Sequence, residues 1–138
     1  MTTPASVELI RSSELTDVAP YAYAAVAHDV RRLVFTAGAC PLDGNGNTVA
    51  IGDVAGQAEQ VMANLQVALR EAGAELGDVL KSTVYVATQR QEDLLAAWDV
   101  VQRWFGEHDA PSTLLGVTVL GYHDQLVEVE AVAALRAS

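Results

Sequence analysis

The side chains that enzymes use as nucleophiles, bases and metal ligands are scarce in this sequence. It contains one cysteine, Cys40, and three histidines, His28, His108 and His123. A cysteine nucleophile needs a base beside it, and none of the histidines is spaced to be one. No two histidines lie at the short separations typical of metal-ligand pairs. We therefore expect surface histidines and no metal site, and we favour Cys40 as a small buried side chain over a nucleophile.

A second chemical candidate is the hydroxyl of Ser112, in the segment EHDAPSTLLGV that runs from Glu107 to Val117. The segment is typical of a loop that runs into a strand, and side chains at such a junction point into a cleft. Ser112 either takes part in chemistry there or only fills space. The residues alone leave both alternatives open.

The segment PLDGNGNTVAIGD, residues 41–53, holds three of the ten glycines and two asparagines. Gly and Asn tolerate the positive φ angles of turns. A phosphate-binding loop needs G-x-G-x-x-G or a G-K-S/T motif between a strand and a helix, and neither motif is present. The segment therefore predicts a plain surface turn.

Composition limits the classes of function. The chain has 138 residues, of which 51% are hydrophobic, and we expect a single domain over residues 1–138 with one core. Eight basic residues against 18 acidic ones give a formal net charge of −10. Proteins that bind phosphate backbones do so through clustered Lys and Arg, so this charge argues against nucleic acid as a partner.

Two features of the sequence suggest where the protein is located. The N-terminal segment MTTPASVELIRSSE lacks the basic start and the apolar core of a signal peptide. The longest apolar run, YAYAAVA at residues 21–27, is far below the roughly 20 residues needed to cross a bilayer. We therefore expect a cytoplasmic protein without a membrane partner.

Alternating and helical patterns predict six strands and two helices. The first helix lies between Asp53 as N-cap and Gly73 as C-cap, and the second includes Trp98 and Phe105 as packing residues. The predicted order is β-β-β-α-β-α-β-β, with strands at residues 7–11, 23–27, 33–37, 81–88, 113–120 and 126–135.

This order leaves one face of the predicted sheet without a cover. Each strand-helix-strand passage is expected to be right-handed, so both helices lie on the same face of one mixed sheet. A sheet with two apolar faces and helices for only one needs a partner surface, and we expect a homo-oligomer to supply it. In the last strand one face has Val127, Val129, Ala131, Ala133 and Leu135, and the other has Leu126, Glu128, Glu130 and Val132.

Four blocks of the sequence carry a resemblance that covers nearly the whole chain. They are APYAYA at 19–24, FTAGACPLDGNG at 35–46, QAEQVMANLQVALREAGAELGDVLKSTVYV at 57–86 and LVEVEAVA at 126–133. Together they resemble the reactive-intermediate deaminase family, also called Rid or YjgF-type. The resemblance implies a chorismate-mutase-like α+β fold, a six-stranded mixed sheet with two helices on one face. It also implies a homotrimer with a central barrel and small-molecule sites between subunits.

The resemblance implies an activity as well. Members with the founding activity hydrolyse enamines and imines such as 2-aminoacrylate to the keto acid and ammonia, without a metal or an organic cofactor. They hold the substrate carboxylate with an arginine in a Pro-Ala-Arg-Ser/Thr motif, and matching this motif to APST puts Ser112 at the arginine position. Arg offers a permanently charged fork and Ser one neutral hydroxyl, so 2-aminoacrylate is not the predicted substrate. Arg103 is expected to form a surface ion pair near Glu107 rather than to replace that arginine.

The remaining site residues also follow from the resemblance. Glu130 in VEVE matches the acid near the attacking water and Tyr21 in APY matches the family tyrosine, so both are predicted to be catalytic. The alternatives are a structural carboxylate for Glu130 and a core ring for Tyr21. Trp98 stands where many relatives have an asparagine. The predicted ligand-binding residues are Gly38, Cys40, Trp98, Ser112, Thr113 and Leu114.

Three functions stay open at this point. The favoured one is hydrolysis of a small imine, enamine or related C–N compound. The second is ligand binding without catalysis by a trimer of the same fold, and the third is the endoribonuclease or translation-inhibitor role sometimes attached to this family. The net charge of −10 argues against the third, because a ribonuclease needs a basic track for its substrate.

Overall fold

The computed structural model describes residues 6–136. The first five residues, which belong to the segment considered for a signal peptide, lie outside the described residues. Within 6–136 the chain forms six strands and two α-helices in the predicted order, and a 3-10 turn at Leu76–Asp78 precedes the fourth strand. The elements are β1 (Val7–Ile10), β2 (Ala24–Ala27), β3 (Val30–Phe35), α1 (Val54–Glu71), β4 (Val79–Ala87), α2 (Gln91–Phe105), β5 (Ser112–Val117) and β6 (Val127–Arg136).

The first helix has the predicted ends. Asp53 is extended and accepts a hydrogen bond from the Gly56 N–H at 2.9 Å, which satisfies one free donor of the first turn. Gly73, just beyond the helix, has a φ of 88°, a conformation that favours glycine. Met62 and Leu65 are fully buried, so the apolar stripe of α1 faces the core.

Four strands form a mixed sheet in the order β3-β6-β4-β5. β4 and β5 are parallel, whereas β6 is antiparallel to both β3 and β4. β1 and β2 pair with each other in an antiparallel ladder of their own. Among the described residues β5 is therefore an edge strand of the four-stranded sheet.

The two faces of this sheet differ in their cover. Both helices pack on one face, against a core that includes Val84 and Val129. On the opposite face, which we call the open face, Leu33 and Phe35 are 52% and 72% exposed. The predicted α+β fold, with both helices on one side of the sheet, is confirmed.

Each strand differs from its predicted bounds at one end or both, and the largest differences, of three residues, are at the start of β3 and the end of β5. β3 begins at Val30 instead of residue 33, because Asp29, with a φ of 52°, completes the preceding turn. β5 ends at Val117 instead of residue 120, because its partner β4 ends at Ala87, which pairs with Val117. The glycine-rich segment 41–53 forms turns, as predicted, and its residues 43–47 are exposed.

Candidate functional site

The predicted site residues fall into two separate regions. Five of them line a cleft of about 470 Å³, which we call the Trp98 cleft. The others lie beside the carboxylates of β6: Gly38 and Cys40 lie against Glu128, and Glu130 itself accepts a hydrogen bond from Tyr85. The Trp98 cleft is lined by Pro20, Tyr21, Leu95, Trp98, Ser112, Thr113 and Leu114. We call Gly38, Cys40, Gln125 and Glu128 the Glu128 cluster.

The aromatic wall of the Trp98 cleft joins α2 to the segment before β2. The ring of Trp98 meets that of Tyr21 edge-on, with centroids 6.0 Å apart and an interplanar angle of 88°. The Tyr21 segment is held by Ala22, whose N–H donates to the Asp109 carbonyl at 2.8 Å. None of the described residues that line the cleft carries a charge, so the cleft suits a neutral group.

The hydroxyl of Ser112 is occupied within the fold. Its Oγ lies 2.5 Å from the Oγ of the buried Ser82, and it donates to the Ala110 carbonyl at 3.1 Å. A serine nucleophile requires a neighbouring base to take its proton, and neither partner is one. Ser112 therefore fixes the start of β5 rather than acting as a nucleophile.

Lys81 approaches the Trp98 cleft from the open face. Its ammonium donates to Oγ1 of Thr113, which lines the cleft. The same lysine lines a smaller hollow of about 190 Å³ together with Phe35 and Glu130. Lys81 thus lies between polar groups of the open face, outside the lining of the Trp98 cleft.

Glu130 has a tyrosine partner on the open face. The Tyr85 hydroxyl donates to Glu130 Oε1 at 2.6 Å. This hydrogen bond raises the pKa of Tyr85, and the Glu130 charge acts in the same direction. Glu130 therefore has a structural partner, which is the alternative to a catalytic role considered from the sequence.

Glu128 is the carboxylate that lies against Gly38. A Cβ atom at position 38 would be 2.1 Å from Glu128 Oε2, so a side chain there would displace the carboxylate. Cys40 Sγ and Gln125 Nε2 contact the other oxygen, Oε1, at 3.4 and 3.1 Å. Burial raises the pKa of Cys40 to about 11, and the charge of Glu128 adds to this. The thiol is protonated at neutral pH, which argues against nucleophilic catalysis.

Backbone pairing and α1 hold the loop 38–40 in place. Ala39 and Val129 exchange two backbone hydrogen bonds, of 2.7 and 3.2 Å. Asn64 on α1 donates its side-chain amide to the Cys40 carbonyl at 2.8 Å. The loop is therefore fixed directly beside β6.

Sequence reasoning missed Glu128 and Gln125. Strand alternation puts Glu128 and Glu130 on the same face, so the sequence pattern alone does not distinguish them. The loop 38–40 makes the distinction, because it runs beside β6 and its glycine lies against Glu128. Gly38 was the available signal, since glycine permits the close approach of another group. Only the fold identifies that group.

One expectation about surface residues is corrected and another is confirmed. His108 is partly buried, with Nε2 2.8 Å from the Val79 carbonyl, because the loop after α2 passes beside the start of β4. The expected surface ion pair of Arg103 is present, and its partner is Glu59 at 2.6 Å, because α1 packs beside α2. Arg103 is thus engaged on the helical side of the molecule.

Across residues 6–136 no group of three or more His, Cys, Asp or Glu side chains is arranged to hold a metal ion. Cys40 is a free thiol. None of the helices in this part of the chain is long and apolar enough to cross a membrane.

The fold and its two regions define a small α+β domain with a ligand-sized cleft and a separate carboxylate cluster. The family model described as Endoribonuclease L-PSP matches residues 12–135. The chain is 34% identical over 116 residues to a RutC family protein of Pyrococcus abyssi, covering 84% of this chain and 87% of that protein. It is 31% identical over 110 residues to a 2-iminobutanoate/2-iminopropanoate deaminase of Salmonella typhimurium, covering 78% of this chain and 84% of that protein.

A solved structure leads to the same family. The conserved Rid family protein YyfB from Yersinia pestis, whose function is described as unknown, is similar with a TM-score of 0.87 and 28% identity. The similarity covers 94% of this chain and 99% of that one. The chain belongs to the YjgF/Rid family. The resemblance seen in the four sequence blocks is therefore confirmed.

Proposed function

We propose that the protein hydrolyses a small imine, enamine or related C–N compound in a cleft between the subunits of a homotrimer, without a metal or an organic cofactor. The observation that carries this proposal is the approach of the Glu128 carboxylate to Gly38, where no side chain blocks Oε2. A relative at 31% identity is a 2-iminobutanoate/2-iminopropanoate deaminase, which supports the reaction class.

The reaction needs one group that moves a proton in both directions. A carboxylate takes a proton from water while the water oxygen attacks the carbon of the C=N bond, and then gives this proton to the nitrogen. The same group moves the hydroxyl proton to the nitrogen as the C–N bond breaks. The products are a carbonyl compound and ammonia. The carboxylate ends the reaction in the protonation state in which it began, and no atom changes oxidation state, so no redox partner is required.

We favour Glu128 over Glu130 as this carboxylate. Glu128 shares its cluster with Gly38 and Cys40, both predicted from the sequence as ligand-binding residues. Glu130 accepts the Tyr85 hydroxyl and remains the alternative. Tyr21 is proposed to act from the wall of the Trp98 cleft, where its ring meets Trp98.

Two observations support the homotrimer. No described residue belongs to both the Trp98 cleft and the Glu128 cluster, and β4 separates β5 from β6 by two strand spacings, about 10 Å in all. In a closed ring, the cleft of one subunit can meet the cluster of the next. The exposed Leu33 and Phe35 of the open face provide apolar surface for such an assembly to bury.

The substrate is proposed to be neutral. No charged residue among those described lines the Trp98 cleft, and Ser112 stands where the family resemblance places a carboxylate-binding arginine. Losing a charge-assisted hydrogen bond costs about 1.5–3 kcal/mol, which is about tenfold to a hundredfold in affinity. We therefore expect little turnover of 2-aminoacrylate.

Ammonia release from imines formed in situ tests this function. The neutral probe is the imine that an amine oxidase forms from benzylamine, and the anionic probe is 2-aminoacrylate formed from serine by a dehydratase. We expect acceleration of the neutral imine above its spontaneous hydrolysis, loss of that acceleration in Glu128→Gln, and its retention in the matched control Glu130→Gln. The opposite ranking of the two variants would make Glu130 the catalytic group.

The alternative function is a small-molecule-binding trimer without catalysis. It is favoured by the replacement of the arginine by Ser112, whose hydroxyl is already bonded within the fold. Ligand binding without acceleration of either imine would support it. Turnover of 2-aminoacrylate at the level of an arginine-bearing relative would refute the neutral substrate.

The description of the matching family model raises the endoribonuclease role again. The net charge of −10 opposes it, because an RNA-cleaving surface needs a basic track. In addition, four of the arginines already form ion pairs with acidic side chains: Arg11, Arg90, Arg103 and Arg136. We do not favour this role.

A further inference from the structure

We propose that Gln125, assisted by Cys40, is a positioning residue that holds one oxygen of Glu128 and leaves the other oxygen to exchange protons with the substrate. This role rests on the proposed hydrolase function, but the contacts that create it can be tested without turnover. Gln125 lies in the connection between β5 and β6, outside the residues that the sequence pattern indicated.

The side-chain amide of Gln125 is fixed at both ends. The residue is only 4% exposed. Its Oε1 accepts the Tyr122 N–H at 3.0 Å, which determines the orientation of the amide. Its Nε2 therefore faces β6, where it donates to the Val127 carbonyl and to Glu128 Oε1, both at 3.1 Å. A buried amide with every contact satisfied is a rigid donor for the carboxylate.

Cys40 contributes the second contact to the same oxygen. Its Sγ lies 3.4 Å from Glu128 Oε1 and 3.4 Å from the Gly38 carbonyl. Because the thiol stays protonated at neutral pH, it can donate to either acceptor. Two donors from two different loops thus converge on Oε1.

The other carboxylate oxygen, Oε2, has no donor among the side chains of the described residues. None of the hydrogen bonds formed by side chains in residues 6–136 reaches Glu128 Oε2. This oxygen lies over Gly38, where a Cβ atom would be 2.1 Å away. The two oxygens therefore have different roles in the proposal. Oε1 is held by the protein, and Oε2 takes the proton from water and delivers it to the substrate nitrogen.

Three titratable groups face or influence Glu128. Cys40 comes from the loop 38–40, whereas Tyr85 comes from β4 and Glu130 from β6. Tyr85 and Glu130 are bonded to each other, so the Glu128 carboxylate has Gln125 and Cys40 as its donors. Substitutions at these two positions therefore test the proposed role.

Kinetics on the neutral benzylamine-derived imine give the first test. We expect Gln125→Leu to lower kcat about tenfold or more with little change in KM, because a misplaced catalytic group affects the reaction step more than binding. Gln66→Leu, a substitution on α1 away from the cluster, is the matched control. Cys40→Ser keeps a donor and should retain more activity than Cys40→Ala. The positioning role would be overturned if kcat did not fall in Gln125→Leu, or if KM rose in this variant by the same factor as kcat fell.

Titration of the single thiol gives a test that does not need turnover. Glu128 raises the pKa of Cys40, whereas the Gln125 contact lowers it. We expect Glu128→Gln to lower the Cys40 pKa, measured by thiolate absorbance in folded protein. Gln125→Leu by itself removes a contact that lowers the Cys40 pKa, so the effect of Glu128→Gln is compared in the wild type and in Gln125→Leu. If Gln125 holds the carboxylate beside the thiol, Glu128→Gln lowers the Cys40 pKa less in Gln125→Leu than in the wild type.

An equal fall in the Cys40 pKa on Glu128→Gln in both backgrounds would show that Glu128 is held without Gln125, and the positioning role would fail. Circular dichroism at the assay temperature separates these outcomes from unfolding. Absence of turnover in the wild type would overturn the proposed hydrolase and the catalytic part of this role. The thiol titration still decides the contact in that case.

Discussion

The Trp98 cleft and the Glu128 cluster use polar groups in opposite ways. In the cleft, the Ser112 hydroxyl is already hydrogen-bonded to Ser82, and the described lining residues, which include the rings of Tyr21 and Trp98, carry no charge. In the cluster, donors converge on one oxygen of Glu128 and leave its other oxygen unbound by the described side chains. Under the proposed function, ligand binding and proton transfer lie in two separate regions of one chain: the cleft would bind the ligand and the cluster would act on it.

The largest expected effect on turnover comes from adding a side chain at position 38. Gly38→Ala places a Cβ where Glu128 Oε2 now lies, and the carboxylate must move. We expect kcat to fall about a hundredfold, the lower range of general acid–base contributions, with little loss of stability because a side-chain end can shift. Gly44→Ala is the control, since a Cβ there meets nothing within 4 Å. Full activity of Gly38→Ala in the ammonia assay would remove the cluster from the mechanism.

The second prediction concerns the surface that would bring the two regions together. Phe35→Asp puts a charge on the open face, where Phe35 is 72% exposed in the single chain. We expect a trimer in the wild type and a monomer in the variant, with turnover lost as well, because burying an unpaired charge is costly. Light scattering at micromolar concentration measures this, and Val67→Asp, on the exposed side of α1, is the control. A monomeric wild type would refute both the trimer and the shared site.

A third substitution alters the cleft without touching the cluster. Ser112→Arg introduces a guanidinium at the position where the family resemblance places one. We expect turnover of 2-aminoacrylate to rise about tenfold to a hundredfold, the value of a charge-assisted hydrogen bond to a carboxylate. Coupled ammonia or pyruvate release measures it beside the wild type and the volume control Ser112→Met. An equal effect of both variants would contradict anchoring by charge.

The smallest effect on stability and turnover is expected for Glu59, which lies far from the Trp98 cleft and the Glu128 cluster. Hydrogen bonds from Trp104 and Arg103 lower the pKa of Glu59, on the helical side of the molecule. Because the ion pair is exposed, Glu59→Gln should cost less than about 1 kcal/mol in the free energy of unfolding and leave turnover unchanged.

The contribution of Glu59 to the free energy of unfolding depends on pH in a definite direction. A carboxylate whose pKa is lower in the folded state stabilises the fold above its unfolded pKa. This contribution is lost as the pH falls from the ordinary value of 4.5 through the lower folded value. Urea unfolding of wild type and Glu59→Gln at pH 7 and pH 3 should therefore show a difference that shrinks at the lower pH. A difference that grows on acidification would contradict it.

Most of the fold was predictable because its helices and strands follow from patterns within short stretches of the sequence. The apolar spacing of α1 and its capping residues Asp53 and Gly73 act within a few residues of the chain, and both helix ends were placed correctly. Strand ends were less predictable, since the end of β5 depends on where β4 stops. Element order and the helices on one face followed from chain connectivity and handedness.

The family, the order of elements and the presence of serine where an arginine was expected all follow from the sequence alone, because these are properties of residues along one chain. The sequence also placed Glu128 and Glu130 on one face, through strand alternation. The folded structure was needed to show that Glu128 lies against Gly38, that Gln125 reaches Glu128 and that Arg103 pairs with Glu59. The physical reason is that these contacts join segments far apart in sequence, whose meeting depends on packing and register rather than on local pattern.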